Sequence, residues 1–186
     1  AGDPVREVTG LRVVSEVLDR ADVPLMAEHV DVLQVGARNM QNFVLLKALA
    51  EVDRPVLLKR APSATLQEWL MAAEYLLAGG NAQVILCERG IRTFSDHARN
   101  TLDLNVVPAV RELSHLPVLV DPSHGVGRRD RVRAMARAAV AAGAHGLLVE
   151  AHVDPATAYT DAQQTVDLDA VGGIVADLGV LSGLSA

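Results

Sequence analysis

Short apolar runs alternating with amphipathic stretches constrain this chain more than any other feature. The runs cover residues 13–18, 32–35, 55–59, 83–87, 117–120 and 146–149. Most hold Val, Leu and Ile without polar alternation, which is how a parallel strand covered on both faces reads. Between them, helical spacing of apolar residues predicts helices over 42–52, 65–77, 101–113, 128–142 and 168–178. Strands alternating with helices in this way make a parallel sheet, open or closed into a barrel. The punctuation agrees. Thr65 and Glu68 form a Thr-x-x-Glu capping box at a helix start. Gly79, Gly80 and Gly143 stand where helices end, and Pro55 and Pro117 open strands, where a missing N–H is tolerated.

Polar residues collect after these runs: Gly36-Ala37-Arg38-Asn39, Lys59-Arg60, Glu88-Arg89-Gly90, Asp121-Pro122-Ser123-His124 and Glu150-Ala151-His152. Chemistry at the C-terminal ends of many strands is the pattern of a (β/α)8 barrel. An open doubly wound sheet would concentrate it at one switch point, and no G-x-G-x-x-G or phosphate-binding loop follows any run. The expected fold is therefore α/β, a (β/α)8 TIM barrel, with residues 1–186 forming a single catalytic domain. Its N-terminal part is expected to be incomplete, because six runs are found where such a barrel needs eight strands. Residues 1–10 show no strand, and the tail from 179 to 186 reads as loose.

Half of the 186 residues are hydrophobic and only 3% are aromatic, so the core must be built from Leu, Val and Ala. A net charge of −6 argues against a nucleic-acid partner. The single cysteine, Cys87, excludes a disulfide framework, and no signal peptide or membrane-length apolar run is seen. A cytoplasmic protein without a membrane partner is expected. Cys87 falls inside a run and reads as a small buried hydrophobe.

Two constellations carry chemistry. His124, Glu150 and Asp161 each follow an apolar run, and a mixed imidazole–carboxylate set suits Mn, Fe, Co or Zn. The plainer alternative makes His124 a loop histidine and Glu150 a partner for Arg128 or Arg129. The second constellation is basic: Arg38, Lys59, Arg60, Arg89 and Arg92 lie at or just beyond strand ends. Converging on one barrel mouth, they would recognise phosphate or carboxylate, and the alternative is a set of separate surface charges. Arg128, Arg129, Arg131, Arg133 and Arg137 read as a solvated helix face. His29, His97, His115 and His145 read as surface or packing residues.

The segments LQVGARNMQNFVLLK, PVLLKR, VILCERGIRTF, RNTLDLNVVPAVRELSHLPVLVDPSHGVGRRD and GAHGLLVEAHVDP are specific enough to name a family. They resemble 3-deoxy-D-arabino-heptulosonate 7-phosphate (DAHP) synthase, in the subgroup related to 3-deoxy-D-manno-octulosonate 8-phosphate (KDO8P) synthase. GARN and DPSH favour the DAHP side. The resemblance implies a metal-dependent (β/α)8 barrel that condenses phosphoenolpyruvate (PEP) with erythrose 4-phosphate, the first step of the shikimate pathway. It implies that Arg38, Lys59 and Arg89 bind PEP, with Arg92 a further substrate-binding cation, and that His124, Glu150 and Asp161 hold a divalent Mn, Co, Fe or Zn ion. It places Asp121 and Lys59 beside the reacting atoms with His124. It also implies a homo-oligomer, dimer or tetramer.

The sequence departs from the family in three places. Neither the Gly-Pro-Cys-x-Val-Glu-Ser motif, whose cysteine is a metal ligand, nor the Lys-Pro-Arg-Thr motif of the first strands occurs. The junction near residues 10–14 is shorter than the family's, and Ser-Asp-Gly becomes Thr160-Asp161-Ala162. Six strands alone would leave open β edges. Two alternatives remain at this level: a KDO8P synthase-like enzyme, and a non-catalytic barrel remnant with an interaction role.

Overall fold

The computed structural model describes residues 4–182. The chain forms two compact units, Ala1–Leu86 and Cys87–Ala186.

The first unit holds α1 (Pro4–Thr9), β1 (Val14–Glu16), α2 (Val23–His29), β2 (Val32–Val35), α3 (Phe43–Ala50), β3 (Val56–Lys59), α4 (Leu66–Ala78) and the opening residues of β4 (Val84–Glu88). Tight turns at Arg20–Asp22 and Ala37–Asn39 connect these elements. Pairing is parallel, with Val14 opposite Val32 and Leu33 opposite Val56. All four residues of β3 are buried, as an unalternating apolar run requires. The capping box forms as expected: Thr65 Oγ1 accepts from the Glu68 amide, and Glu68 Oε2 accepts from the Thr65 amide at 2.7 Å. One turn further, Trp69 is fully buried and donates its indole N–H to the Leu58 carbonyl at 3.2 Å. That bond pins α4 to β3. Beyond α4, Gly80 takes a φ of +109°, and Asn81 spreads its side-chain amide over the carbonyls of Leu49, Val52 and Arg54.

The second unit holds the end of β4, α5 (Val106–Leu113), β5 (Val118–Val120), α6 (Pro122–Val126), α7 (Arg129–Ala141), β6 (Gly146–Leu147) and α8 (Leu168–Ser182). The Asp121 amide donates to the Glu88 carbonyl at 2.7 Å. β5 and β6 pair in parallel, Val120 opposite Leu147, and the Leu148 amide extends the ladder to the Val120 carbonyl. Helices α7 and α8 enclose a cluster of Val126, Val132, Ala136, Val166 and Ile174. Arg133 bonds both oxygens of Asp177 across them, at 2.7 and 3.0 Å.

The α/β expectation holds, and six strands are present among the described residues. The corrections are local. Residues 1–10 contain α1, and α2 was not anticipated; each is under two turns long, too short for a helical period to show. The helix expected over 101–113 begins at Val106, because Thr101 exchanges backbone hydrogen bonds with Ile91 in an antiparallel bridge, both at 2.9 Å. His124 lies on α6 and not in a loop. The run at 146–149 keeps only two strand residues. Residues 179–182 of the tail are helical, and 183–186 lie outside the described residues. Arg128, Arg129, Arg133 and Arg137 are exposed, as read for a solvated face, and Arg131 is half-buried, with surface bonds to Asp130, Asp177 and the carbonyls of Ala162 and His97. Cys87 is buried, as read. Among the described residues no helix is long and apolar enough to cross a membrane.

Candidate metal and anion centre

Strand β5 runs straight into the site. Asp121, its first residue beyond the strand, is 1% exposed and caps α6. Its Oδ1 accepts from the His124 amide at 2.9 Å, and its Oδ2 lies 2.8 Å from His124 Nδ1. A carboxylate accepts only, so Nδ1 carries the hydrogen and Nε2 is left with its lone pair outward. Pro122 at the start of α6 presets the backbone for this turn. Asn100 holds the other end of the residue by donating to the His124 carbonyl at 2.9 Å.

Glu150 follows β6. Its amide donates to the buried Ser123 hydroxyl at 3.0 Å, and its carbonyl accepts from the Val166 amide at 2.9 Å. These two bonds aim the side chain back at α6, with Oε1 3.6 Å from His124 Nε2. Asp161 reaches the same point from a turn. Its φ is +51°, a left-handed conformation that Asp tolerates better than most residues. Its carbonyl accepts from the Gln164 and Thr165 amides and the Thr165 hydroxyl. Its Oδ2 lies 4.0 Å from His124 Nε2. One ligand atom from each of His124, Glu150 and Asp161 falls within 4.8 Å of the others, and all three residues are half-buried. The expected convergence of these three is found. Glu150 is not a partner of Arg128, which pairs with Asp130 at 3.0 Å.

Two residues that sequence reasoning missed complete the centre. Gln164, 1% exposed, donates its amide to Glu150 Oε2 and accepts from Arg99 at 3.1 Å. The same Arg99 nitrogen donates to Asp161 Oδ1. Arg99 opens a segment, residues 99–130, that resembles the family, but nothing in the sequence gave it or Gln164 a role.

Arg89, also in this unit, is only 8% exposed, and its Nε has no hydrogen-bond partner among the described residues. Burial pulls its pKa below the usual guanidinium value, while Asp121 pulls it back up. A buried cationic donor in this state suits an anion. Gly90 beside it has a φ of +94°, and a Cβ there would come within 2.9 Å of Gly125 Cα. Its amide donates to the fully buried Glu88 at 2.6 Å, so only glycine fits this turn. Arg92 lies beyond, exposed.

The remaining expected cations belong to the first unit. Lys59 ends β3 and is buried, and Arg38 is exposed in the turn after β2. Arg60 is turned inward, donating to the Ala64 carbonyl at 3.0 Å with its guanidinium 5.9 Å from the Trp69 ring centre.

The family model of the DAHP synthetase I family matches residues 2–178. The chain belongs to that family. It is 49% identical to the phospho-2-dehydro-3-deoxyheptonate aldolase of Thermotoga maritima over 93% of its own length and 51% of the relative's. It is 34% identical to a 2-dehydro-3-deoxyphosphooctonate aldolase of Acidithiobacillus ferrooxidans, over 86% of this chain and 59% of that one. It thus spans about half to three fifths of these curated relatives. A solved truncated form of the Thermotoga maritima DAHP synthase superposes with a TM-score of 0.93 at 48% identity, covering 96% of this chain and 68% of that one. A second structure, of the DAHP synthase from the same organism, gives 0.94 at 48% identity over 96% and 53%. The fold of this DAHP synthetase family member is accordingly that of the DAHP synthases, and the expectation of a (β/α) barrel type stands.

Proposed function

We propose that the protein is a DAHP synthase, a transferase joining PEP to erythrose 4-phosphate, and that residues 1–186 belong to one catalytic domain of that type. The observation that carries the reading is the convergence of His124, Glu150 and Asp161. Three donors from three separate chain segments, one with its tautomer set by a buried carboxylate, fit a divalent transition ion. Mn, Co, Fe or Zn held there would polarise the aldehyde carbonyl of the sugar phosphate.

The chain's own groups account for the rest. Arg89 offers a buried guanidinium to the PEP anion, and its desolvation strengthens any charge-assisted bond it makes. Arg38 and Lys59 are assigned to PEP by the family motifs GARN and LLKR, and Arg92 is assigned to substrate binding. Orientation of PEP by such cations presents its C3 to the aldehyde carbon. The C–C bond forms, water adds at C2, and the C2–O bond to phosphate breaks, releasing inorganic phosphate. Asp121 acts through His124, holding the imidazole by its Nδ1. Its burial also suits orienting a water near that ring. Lys59, at the end of β3, is assigned a catalytic as well as a binding role on the motif. A cytoplasmic homo-oligomer, dimer or tetramer, completes the reading, and light scattering on the purified protein checks the assembly.

The test is a coupled assay of the full-length protein with PEP, erythrose 4-phosphate and Mn²⁺. PEP consumption with equimolar phosphate release is expected. Turnover only with arabinose 5-phosphate would transfer the assignment to KDO8P synthesis. No turnover with either sugar would leave the non-catalytic interaction role.

A further inference from the structure

Of the four carboxylate oxygens on Glu150 and Asp161, two are near His124 and two are engaged elsewhere. Glu150 Oε1 and Asp161 Oδ2 lie 3.6 and 4.0 Å from His124 Nε2. Glu150 Oε2 is held by the Gln164 amide, and Asp161 Oδ1 by Arg99. Arg99 and Gln164 are themselves bonded at 3.1 Å. The chain Glu150–Gln164–Arg99–Asp161 is therefore closed. Its polarity is forced as well: a carboxylate has no donor and a guanidinium no acceptor, so Gln164 must give its NH₂ to Glu150 and its oxygen to Arg99. At 1% exposure Gln164 has no water to turn to instead.

We propose that Arg99 and Gln164 are positioning residues that limit Glu150 and Asp161 to one metal-facing oxygen each, and that they thereby select small transition ions over Ca²⁺. The proposal rests on the metal reading above. Ca²⁺ wants six to eight oxygens and takes carboxylates in bidentate fashion. With Oε2 and Oδ1 withheld, the centre offers one nitrogen and two oxygens, a set suited to the smaller and softer divalent ions. Arg99 also offsets the repulsion between two carboxylates aimed at one point. Partners of this kind, bonded to ligands without touching the ion, typically change metal affinity about 10–100-fold when removed.

The experiment uses metal-depleted full-length protein titrated with Mn²⁺ and with Ca²⁺, read by calorimetry and by the shift in melting temperature. His124→Ala, Gln164→Leu, Gln164→Glu and Arg99→Lys are compared with the wild type. Wild type should bind Mn²⁺ far more tightly than Ca²⁺, and His124→Ala should lose the Mn²⁺ response. Gln164→Leu should weaken Mn²⁺ about 10–100-fold and Ca²⁺ much less, so the ratio falls. Gln164→Glu is the isosteric check should the leucine variant fail to fold. It frees Glu150 Oε2 and adds a carboxylate, so its Mn²⁺/Ca²⁺ ratio should also fall. Arg99→Lys keeps the charge but loses the planar fork, and should fall in between. An altered ratio is a readout that a merely structural glutamine would not move. Folded Gln164 variants with the wild-type ratio overturn the clamp and leave the metal reading standing. A wild type without a Mn²⁺ response, or one equal to His124→Ala, overturns both.

Discussion

Three buried side chains of residues 1–86, those of Asn81, Arg60 and Trp69, donate to backbone carbonyls, whereas two of residues 87–186, those of Asp121 and Gln164, bond side chains of the candidate centre. In the first unit Asn81 spreads its amide over three carbonyls, Arg60 donates to Ala64, and Trp69 to Leu58. The Trp69 bond ties α4 to β3, and the Asn81 bonds tie the segment after α4 to the end of α3 and the residues beyond it. In the second unit Asp121 holds His124, and Gln164 joins Glu150 to Arg99. Polar groups used on backbone stabilise a scaffold. Polar groups used on one another fix the direction of lone pairs, which is what a binding centre needs. The difference teaches that stability and chemistry are unevenly divided along this chain.

That contrast can be broken by mutation. The largest expected effect is His124→Ala, which removes the one nitrogen donor of the cluster and should abolish both turnover and the Mn²⁺-induced rise in melting temperature. A variant that keeps the Mn²⁺ shift would show that the second unit does not concentrate its chemistry here. Next comes Trp69→Ala in the first unit. Loss of a fully buried indole should cost about 3–5 kcal/mol in denaturant unfolding. The Mn²⁺ affinity of the protein that remains folded should not change. If metal binding weakens in step with stability, the two roles are not separable.

Asp121→Asn sharpens the comparison. Asparagine still caps a helix, so α6 should persist. It no longer enforces a proton on His124 Nδ1, and Mn²⁺ affinity should drop about 10–100-fold while the unfolding midpoint moves far less than for Trp69→Ala.

The smallest effects concern acid. The amide and hydroxyl of Thr65 hold the Glu68 carboxyl below its usual range in the first unit, and Arg133 does the same for Asp177 in the second. Carboxyls depressed in the folded state contribute stability that is present above the unfolded pKa, and it is lost as pH falls through the folded value. Below about pH 4.5 stability should therefore decline. Glu68→Gln and Asp177→Asn should each flatten that decline slightly and converge with wild type in strong acid. Both pairs are surface features, and added salt should shrink the Asp177 effect. A decline unchanged by both substitutions would assign it to other carboxyls.

Much of this was legible in the sequence. Val32–Val35, the capping box at Thr65 and the helix over α7 follow from period and caps, which act within a few residues. His124 and Glu150 were legible because each follows an apolar run, and Asp161 because Thr160-Asp161-Ala162 resembles the family's Ser-Asp-Gly. Thr101 was misread because a helical pattern counts apolar residues and cannot see a bridge to Ile91. Arg89 read as a strand-end cation, but its burial, and an Nε with no partner among the described residues, emerge only from packing.

By itself the sequence determined the alternation of strands and helices, their caps, the family, and the three residues able to meet at a divalent ion. All of these are written in short-range spacing or in contiguous motifs. Only the tertiary structure decided which oxygen of each carboxylate faces His124. Arg99 finds Asp161 and Gln164 across 62 and 65 positions of chain. No spacing rule reaches that far, because the meeting depends on how whole elements pack. Asp121 shows the boundary between the two. Its place at a helix start is local, while its value to the centre depends on Glu150 and Asp161 arriving from other segments of the unit.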